Sequence, residues 1–153
     1  MKFLIVGLGS MGKRRIRNLH ALGYEDIIGI DPRKDRLDEA SKTYDILVYE
    51  KLKEALISHN PDMFIISTPP QNHKEYVLQA LDLGSHCFIE ASVVDANGLL
   101  EIDELASSKG LFVGPSCTMH YSEGPKIVRK LISEGVIGKP LNLNYQNRQD
   151  LPD

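Results

Sequence analysis

The chain has no tryptophan, only two cysteines and no long apolar run, and its charges nearly balance. Each shortage excludes a class of protein. Cys87 and Cys117 lie far apart, with no Cys-x-x-Cys or Cys/His ligand spacing. Neither a disulfide framework nor a metal site is expected, and the two thiols read as reduced and mostly buried. No stretch approaches the roughly 18 apolar residues that a membrane-crossing helix needs. The N-terminal "MKFLIVGLG" runs straight into the basic "KRRIR" without a cleavage pattern. A soluble, cytoplasmic protein with no membrane partner is expected. With 18 Lys and Arg against 21 Asp and Glu, net charge −3, no nucleic-acid partner is expected either.

What remains is the composition of an ordinary globular domain: 153 residues, 42% hydrophobic and 25% charged. Apolar runs alternate with amphipathic stretches as far as residue 140, the pattern of successive βα units. The fold class read from it is α/β, a doubly wound, mainly parallel sheet in three αβα layers. Strands are expected at Lys2–Val6, Asp26–Ile30, Ile46–Val48, Met63–Ser67, His86–Glu90 and Leu111–Val113. Helices are expected over Ser10–Leu22, Asp35–Lys42, Lys51–Ser58, Asn72–Leu83, Ala96–Lys109 and Gly124–Glu134. Gly23, Gly84, Gly110 and Gly135 stand where helix stops belong. Beyond "GVIGKP", residues Leu141 to Gln146 alternate apolar and polar, which reads as a half-buried strand of an antiparallel sheet.

"VGLGSMG" sets Gly7, Gly9 and Gly12 in G-x-G-x-x-G spacing between the first strand and the first helix. In that context Gly7 permits a tight turn, Gly9 a close backbone approach to a pyrophosphate, and Gly12 helix–strand contact. The helix start, with Ser10 and Met11, offers free N–H groups and a positive dipole end to phosphates. Asp31 ends the second strand, where a dinucleotide fold places the acid that accepts hydrogen bonds from the adenosine ribose. Its charge would repel a 2′-phosphate, so NAD is favoured over NADP. Arg33, Lys34 and Arg36 follow it and soften that preference. The plainer reading, glycines that only turn the chain and an acid that only caps a loop, leaves the combined pattern unexplained. The basic run Lys13, Arg14, Arg15 and Arg17 opposes the helix dipole and hints at an anion nearby, but receives no role.

Ligands in open parallel sheets sit beyond the carboxyl ends of the strands. Ser67, Thr68 and Pro69 follow the fourth strand as a rigid turn, and Asn72 and His73 begin the next helix. His73 reads equally as a cleft ligand or as a water-facing helix start. After the fifth strand comes Glu90, followed by Ala91 and Ser92, with no neighbour in sequence that carries a positive charge. The sixth strand leads into "GPSCTMHY", where Ser116, Thr118, His120 and Tyr121 are candidate acid/base groups. His120 reads more readily as a backbone-bonded loop histidine.

Taken together, "IVGLGSMGKRRIRNL", Asp31, "NPDMFIISTPPQNHKEYVLQALDLGSHCFIEAS" and "KIVRKLISEGVIGKPLNLNY" resemble the N-terminal half of the Gfo/Idh/MocA oxidoreductase family. The resemblance implies an NAD(P)-binding Rossmann domain over residues 1–120. Residues 121–153 would then be a helix and first strand leading into a further α/β substrate domain. It implies hydride transfer between a nicotinamide and a sugar, polyol or sugar-nucleotide-type substrate, with a homo-oligomer possible. It assigns Gly7, Gly9, Gly12 and Asp31 to the dinucleotide, together with Ser67, Thr68, Pro69, His73 and Glu90. Ser10, Met11 and Arg33 join them from the residue reading.

Two departures matter. The family's usual Glu-Lys-Pro after the fifth strand is here Glu90, Ala91, Ser92, so no catalytic residue is assigned. The substrate domain would also lie beyond Asp153, so a fragment that binds nucleotide without turnover is expected. Two alternatives stay open: a non-catalytic NAD-sensing regulatory module, and a methyltransferase using a similar glycine loop.

Overall fold

The computed structural model describes residues 1–91 and 96–144. The chain divides into two compact units, the first Met1–Ser116 and the second from Cys117 onward. In the first unit six strands alternate with helices: β1 (Phe3–Val6), α1 (Ser10–Ala21), β2 (Ile27–Ile30), α2 (Lys34–Tyr44), β3 (Leu47–Tyr49) and α3 (Leu52–Ser58). There follow β4 (Met63–Ile66), a 3₁₀ turn (Pro70–Asn72), α4 (His73–Asp82), β5 (His86–Ile89), α5 (Ala96–Ser108) and β6 (Val113–Pro115).

The strands form one parallel sheet in the order β3-β2-β1-β4-β5-β6. That is the doubly wound arrangement expected from the alternation. Because successive side chains of a strand point to opposite faces, β1 feeds two cores. Leu4 and Val6 join Phe64, Val77 and Leu81 on the face covered by α3, α4 and α5. Phe3 and Ile5 join Ile16, Leu19 and Ala40 on the face covered by α1 and α2. All four β1 residues are buried, as continuous apolar strands covered on both faces should be. The order reverses between β1 and β4, and this switch point opens the crevice where a ligand fits.

Boundaries move where hydrogen bonding overrides the apolar pattern. β6 starts at Val113, two residues after its expected start at Leu111. The Leu111 N–H is taken by Ala106 O at 2.9 Å, and Gly110 at φ +66° completes the stop of α5. The Phe112 N–H goes to His86 Nδ1 at 2.9 Å. Cys87 is buried as expected, whereas Cys117, beyond the end of β6, is exposed.

The second unit holds a short helix, α6 (Thr118–Tyr121), in a stretch read as loop, and α7 (Glu123–Ser133). Val128 and Ile132 of α7, with Pro125 and Leu143, line an apolar groove of about 610 Å³. Leu141–Asn144, expected in a strand, form no ladder, and Leu141 and Leu143 are exposed. Tyr145 and Gln146 lie outside the described residues. A lone strand has no partner for its N–H and C=O groups, so periodicity alone cannot hold it in a sheet. Among the described residues no helix is long and apolar enough to cross a membrane.

Candidate functional site

The turn from β1 into α1 is built by glycines with different constraints. Gly7 has φ +91°, and a Cβ there would stand 2.9 Å from the Ser67 carbonyl oxygen. At Gly12 a Cβ would lie 1.9 Å from Gly7 O, so no side chain fits. Gly9 differs: its backbone is extended (φ −68°, ψ −167°), and a Cβ would meet nothing closer than Arg36 Nη1 at 3.6 Å. The protein itself gives no steric reason for glycine there. α1 has no side-chain cap and no acid in its first turn. Its leading N–H groups therefore lack both intrahelical acceptors and a carboxylate of their own.

Of the basic residues that follow, Lys13, Arg15 and Arg17 turn to partners within the chain. Lys13 reaches Glu39 at 2.6 Å, and Arg17 donates to Tyr44 Oη at 2.9 Å. Arg15 crosses to Glu90, its Nε and Nη2 both meeting Oε1. Its guanidinium also lies 4.9 Å from the Phe88 ring centroid and 3.4 Å from Ser116 Oγ. For Lys13 and Arg15 the anion is thus a carboxylate of the chain itself, and Glu90 has a cationic neighbour that sequence proximity hid.

Asp31 is almost fully buried at the end of β2. Its Oδ2 accepts the Leu8 N–H at 2.8 Å and Arg36 Nη1 at 3.3 Å, and its Oδ1 accepts the Arg33 N–H at 2.9 Å. The carboxylate thereby ties the end of β2 to the glycine turn. It lines a cavity of about 280 Å³ at the switch point, beside Gly7, Arg36, Ser67, Thr68 and Tyr76. Ser67 Oγ and Thr68 Oγ1 are buried without a hydrogen-bond partner. An unmet buried hydroxyl costs about 1–3 kcal/mol, so a polar ligand that met them would be favoured. Tyr76 has its phenol raised above the ordinary value by burial, helped by the charges of Glu75 and Asp31. An open glycine, a bare helix start, a ribose-type acid and unmet hydroxyls together fit a dinucleotide.

A family description, "Oxidoreductase family, NAD-binding Rossmann fold", matches residues 1–116. This chain belongs to the Gfo/Idh/MocA oxidoreductase family. Among its Gfo/Idh/MocA relatives, inositol 2-dehydrogenase of Burkholderia multivorans is 25% identical over 150 residues, covering 94% of this chain and 44% of the relative. Biliverdin reductase A of Mus musculus is 31% identical over 113 residues, covering 70% of this chain and 36% of that one. The fold matches myo-inositol 2-dehydrogenase from Lactobacillus plantarum with a TM-score of 0.81 at 23% identity, over 91% of this chain and 42% of that one. It also matches the WlbA dehydrogenase from Bordetella pertussis, solved with NADH and UDP-GlcNAcA, at TM-score 0.79 and 18% identity, over 88% and 41%. The chain spans less than half the length of these relatives.

Within this Gfo/Idh/MocA domain, the cavity gathers Gly7, Asp31, Arg33, Ser67, Thr68 and Pro69 of the residues expected from sequence. Gly9, Ser10, Met11 and Gly12 form the adjoining helix start. His73 is buried, not water-facing: its Nε2 bonds Thr68 O at 2.8 Å and so fixes the turn rather than lining the cavity. Glu90 lies apart, half-buried, at a smaller pocket of about 180 Å³ with Asp103 and Leu99. From sequence Arg15 received no role, and Glu50 and Tyr76 were not singled out. Tyr76 was findable, since it follows His73 by three positions on the same helical face. Arg33 points outward, its guanidinium raised in pKa by its hydrogen bonds to Asp35, which is correspondingly lowered.

Proposed function

We propose that this chain is the dinucleotide-binding part of an NAD-dependent oxidoreductase acting on a sugar, polyol or sugar-nucleotide-type substrate. The observation that carries the reading is the cavity at the switch point, with Asp31 buried beside Gly7 and with unmet hydroxyls on Ser67 and Thr68. In this reading the start of α1, with Gly9, Ser10, Met11 and Gly12, receives the pyrophosphate. Asp31 receives the adenosine ribose, with Arg33 at the rim, and Ser67, Thr68 and Pro69 border the second half of the dinucleotide. His73 keeps that turn in place, and Glu90 closes the nicotinamide end through Arg15. A nicotinamide cofactor held there would supply hydride-transfer chemistry. Ala91 offers no proton to match that transfer, so turnover by residues 1–153 alone is not expected.

Relatives named for inositol, and a structural neighbour solved with UDP-GlcNAcA, support the substrate class. The free thiols and the dinucleotide site suit a reducing cytoplasm, and a homo-oligomer accords with the same reading. Titration with NADH, followed by calorimetry or fluorescence transfer, tests it: saturable one-site binding is expected, and none would remove it. The closed Arg15–Glu90 pair followed by Ala91 also favours a second reading, a non-catalytic NAD sensor. A ligand-dependent change of oligomeric state without turnover in a longer form would select that one.

A further inference from the structure

A doubly wound sheet divides a dinucleotide between its two halves, across the switch point. With the adenosine half at Asp31, on the end of β2, the nicotinamide half falls to the carboxyl ends of β4, β5 and β6. That end carries a half-buried ion pair. Arg15 enters it from α1, with Nε and Nη2 on Glu90 Oε1 and its guanidinium over the Phe88 ring. Ser116 Oγ, just past β6, accepts from Nη2 at 3.4 Å. The two side chains keep 19% and 13% exposure, so salt and water screen them less than surface charges.

Other charges near this end are differently placed. Asp103 lines the same small pocket as Glu90 but is exposed, and Ala91, next along the chain, carries no charge. Lys13 is engaged by Glu39, and Arg36 pairs with Asp31 in the other half of the crevice. The balance between Arg15 and Glu90 therefore governs the local field.

The two oxidation states of a nicotinamide differ by one charge, because hydride addition turns a cationic ring into a neutral one. A lone carboxylate at this end would hold the oxidised form more tightly, and a lone guanidinium would repel it. Resting on the dinucleotide reading, we propose that Arg15 is a specificity-determining residue for oxidation state: by neutralising Glu90 it makes this a site that holds NADH in preference to NAD⁺. A cationic ring brought beside the pair leaves water and meets no net opposite charge, which costs free energy. The neutral ring escapes that cost. Such a site suits either the reduction of a carbonyl substrate or the sensing of NADH.

Calorimetric titration of the 153-residue chain with NAD⁺ and with NADH at fixed ionic strength tests this, for the native protein, R15Q, E90Q and R15Q/E90Q. The readout is the ratio of the NAD⁺ dissociation constant to that of NADH, which cancels losses of binding common to both. The native ratio is expected above about threefold. R15Q should lower it about fivefold and E90Q should raise it about fivefold, opposite signs that a merely structural role would not produce. The double variant, with neither charge, should return to within about twofold of the native ratio. A native ratio below about threefold overturns the proposal, as do single-variant shifts of the same sign or smaller than about twofold in proteins with native circular dichroism. A double variant that keeps either single shift overturns it too. E90Q preserves the shape of the side chain and carries the test by itself should R15Q fail to fold. Saturable NADH binding with unmoved ratios leaves the dinucleotide reading intact, whereas no binding of either nucleotide overturns both.

Discussion

Gly12 has no room for one more carbon, because its Cβ position lies 1.9 Å from the carbonyl oxygen of Gly7. Backbone atoms cannot yield as a side chain can, so Gly12→Ala is expected to destabilise the chain by about 3 kcal/mol, read by urea denaturation. Gly9→Ala makes the complementary case. It meets only ordinary contact, so it should cost under about 1 kcal/mol yet weaken NADH binding measurably, because what the glycine leaves open is room for ligand. Equal stability losses at the two positions would contradict this division. Cys87 offers a pH test: burial raises its thiol from an ordinary 9.0 to about 12. The folded state then holds a proton that the unfolded state releases, so this contribution is intact below pH 9 and lost as pH rises toward 12. At pH 8 iodoacetamide should label Cys117 and spare Cys87 until denaturant is added. The glycines and Asp31 were legible in sequence because their roles follow from local turn chemistry and spacing. Arg15 was not, because its partner Glu90 is 75 positions away and only the seating of α1 against the sheet brings them together.

Among the elements, every expected helix and strand of the first unit is present, since each carries its own apolar period. What moved were ends decided by specific hydrogen bonds. The 3₁₀ turn Pro70–Asn72 takes up Asn72, the expected first residue of the helix, so α4 starts at His73, with the Asn72 N–H bonded to Pro69 O at 3.0 Å. The α6 helix is a single turn, too short for periodicity to announce. The half-buried Arg15–Glu90 pair ties α1 to the residue that follows β5, and the same guanidinium lies over the Phe88 ring within β5. Arg15→Ala is therefore expected to cost about 2 kcal/mol, with Arg15→Lys recovering part of it. A double-mutant cycle with Glu90→Gln should return a coupling of about 1 kcal/mol or more. A coupling near zero would mean that α1 is held by its apolar stripe of Ile16 and Leu19 alone.

At the scale of the whole molecule, all cavity residues assigned to the dinucleotide fall before Cys117, inside the first compact unit. A protein of residues 1–116 is expected to unfold cooperatively and to bind NADH within about threefold of the 153-residue chain. Loss of binding on removing the second unit would place part of the site beyond Ser116. The sheet order also dictates how the molecule comes off the ribosome. β1 is flanked by β2 and β4, yet its register partners on the second side, Met63–Ile66, are made some sixty residues later. Until they emerge, the nascent chain has a half-sheet, β3-β2-β1, whose outer edge is the wholly apolar Phe3–Val6. Loop closure over that span is slow, and a bare apolar edge invites pairing with other chains. The strand most deeply buried in the finished protein is thus, of the strands with two neighbours, the one that waits longest for its second during synthesis, and it is where a chaperone would have most to protect.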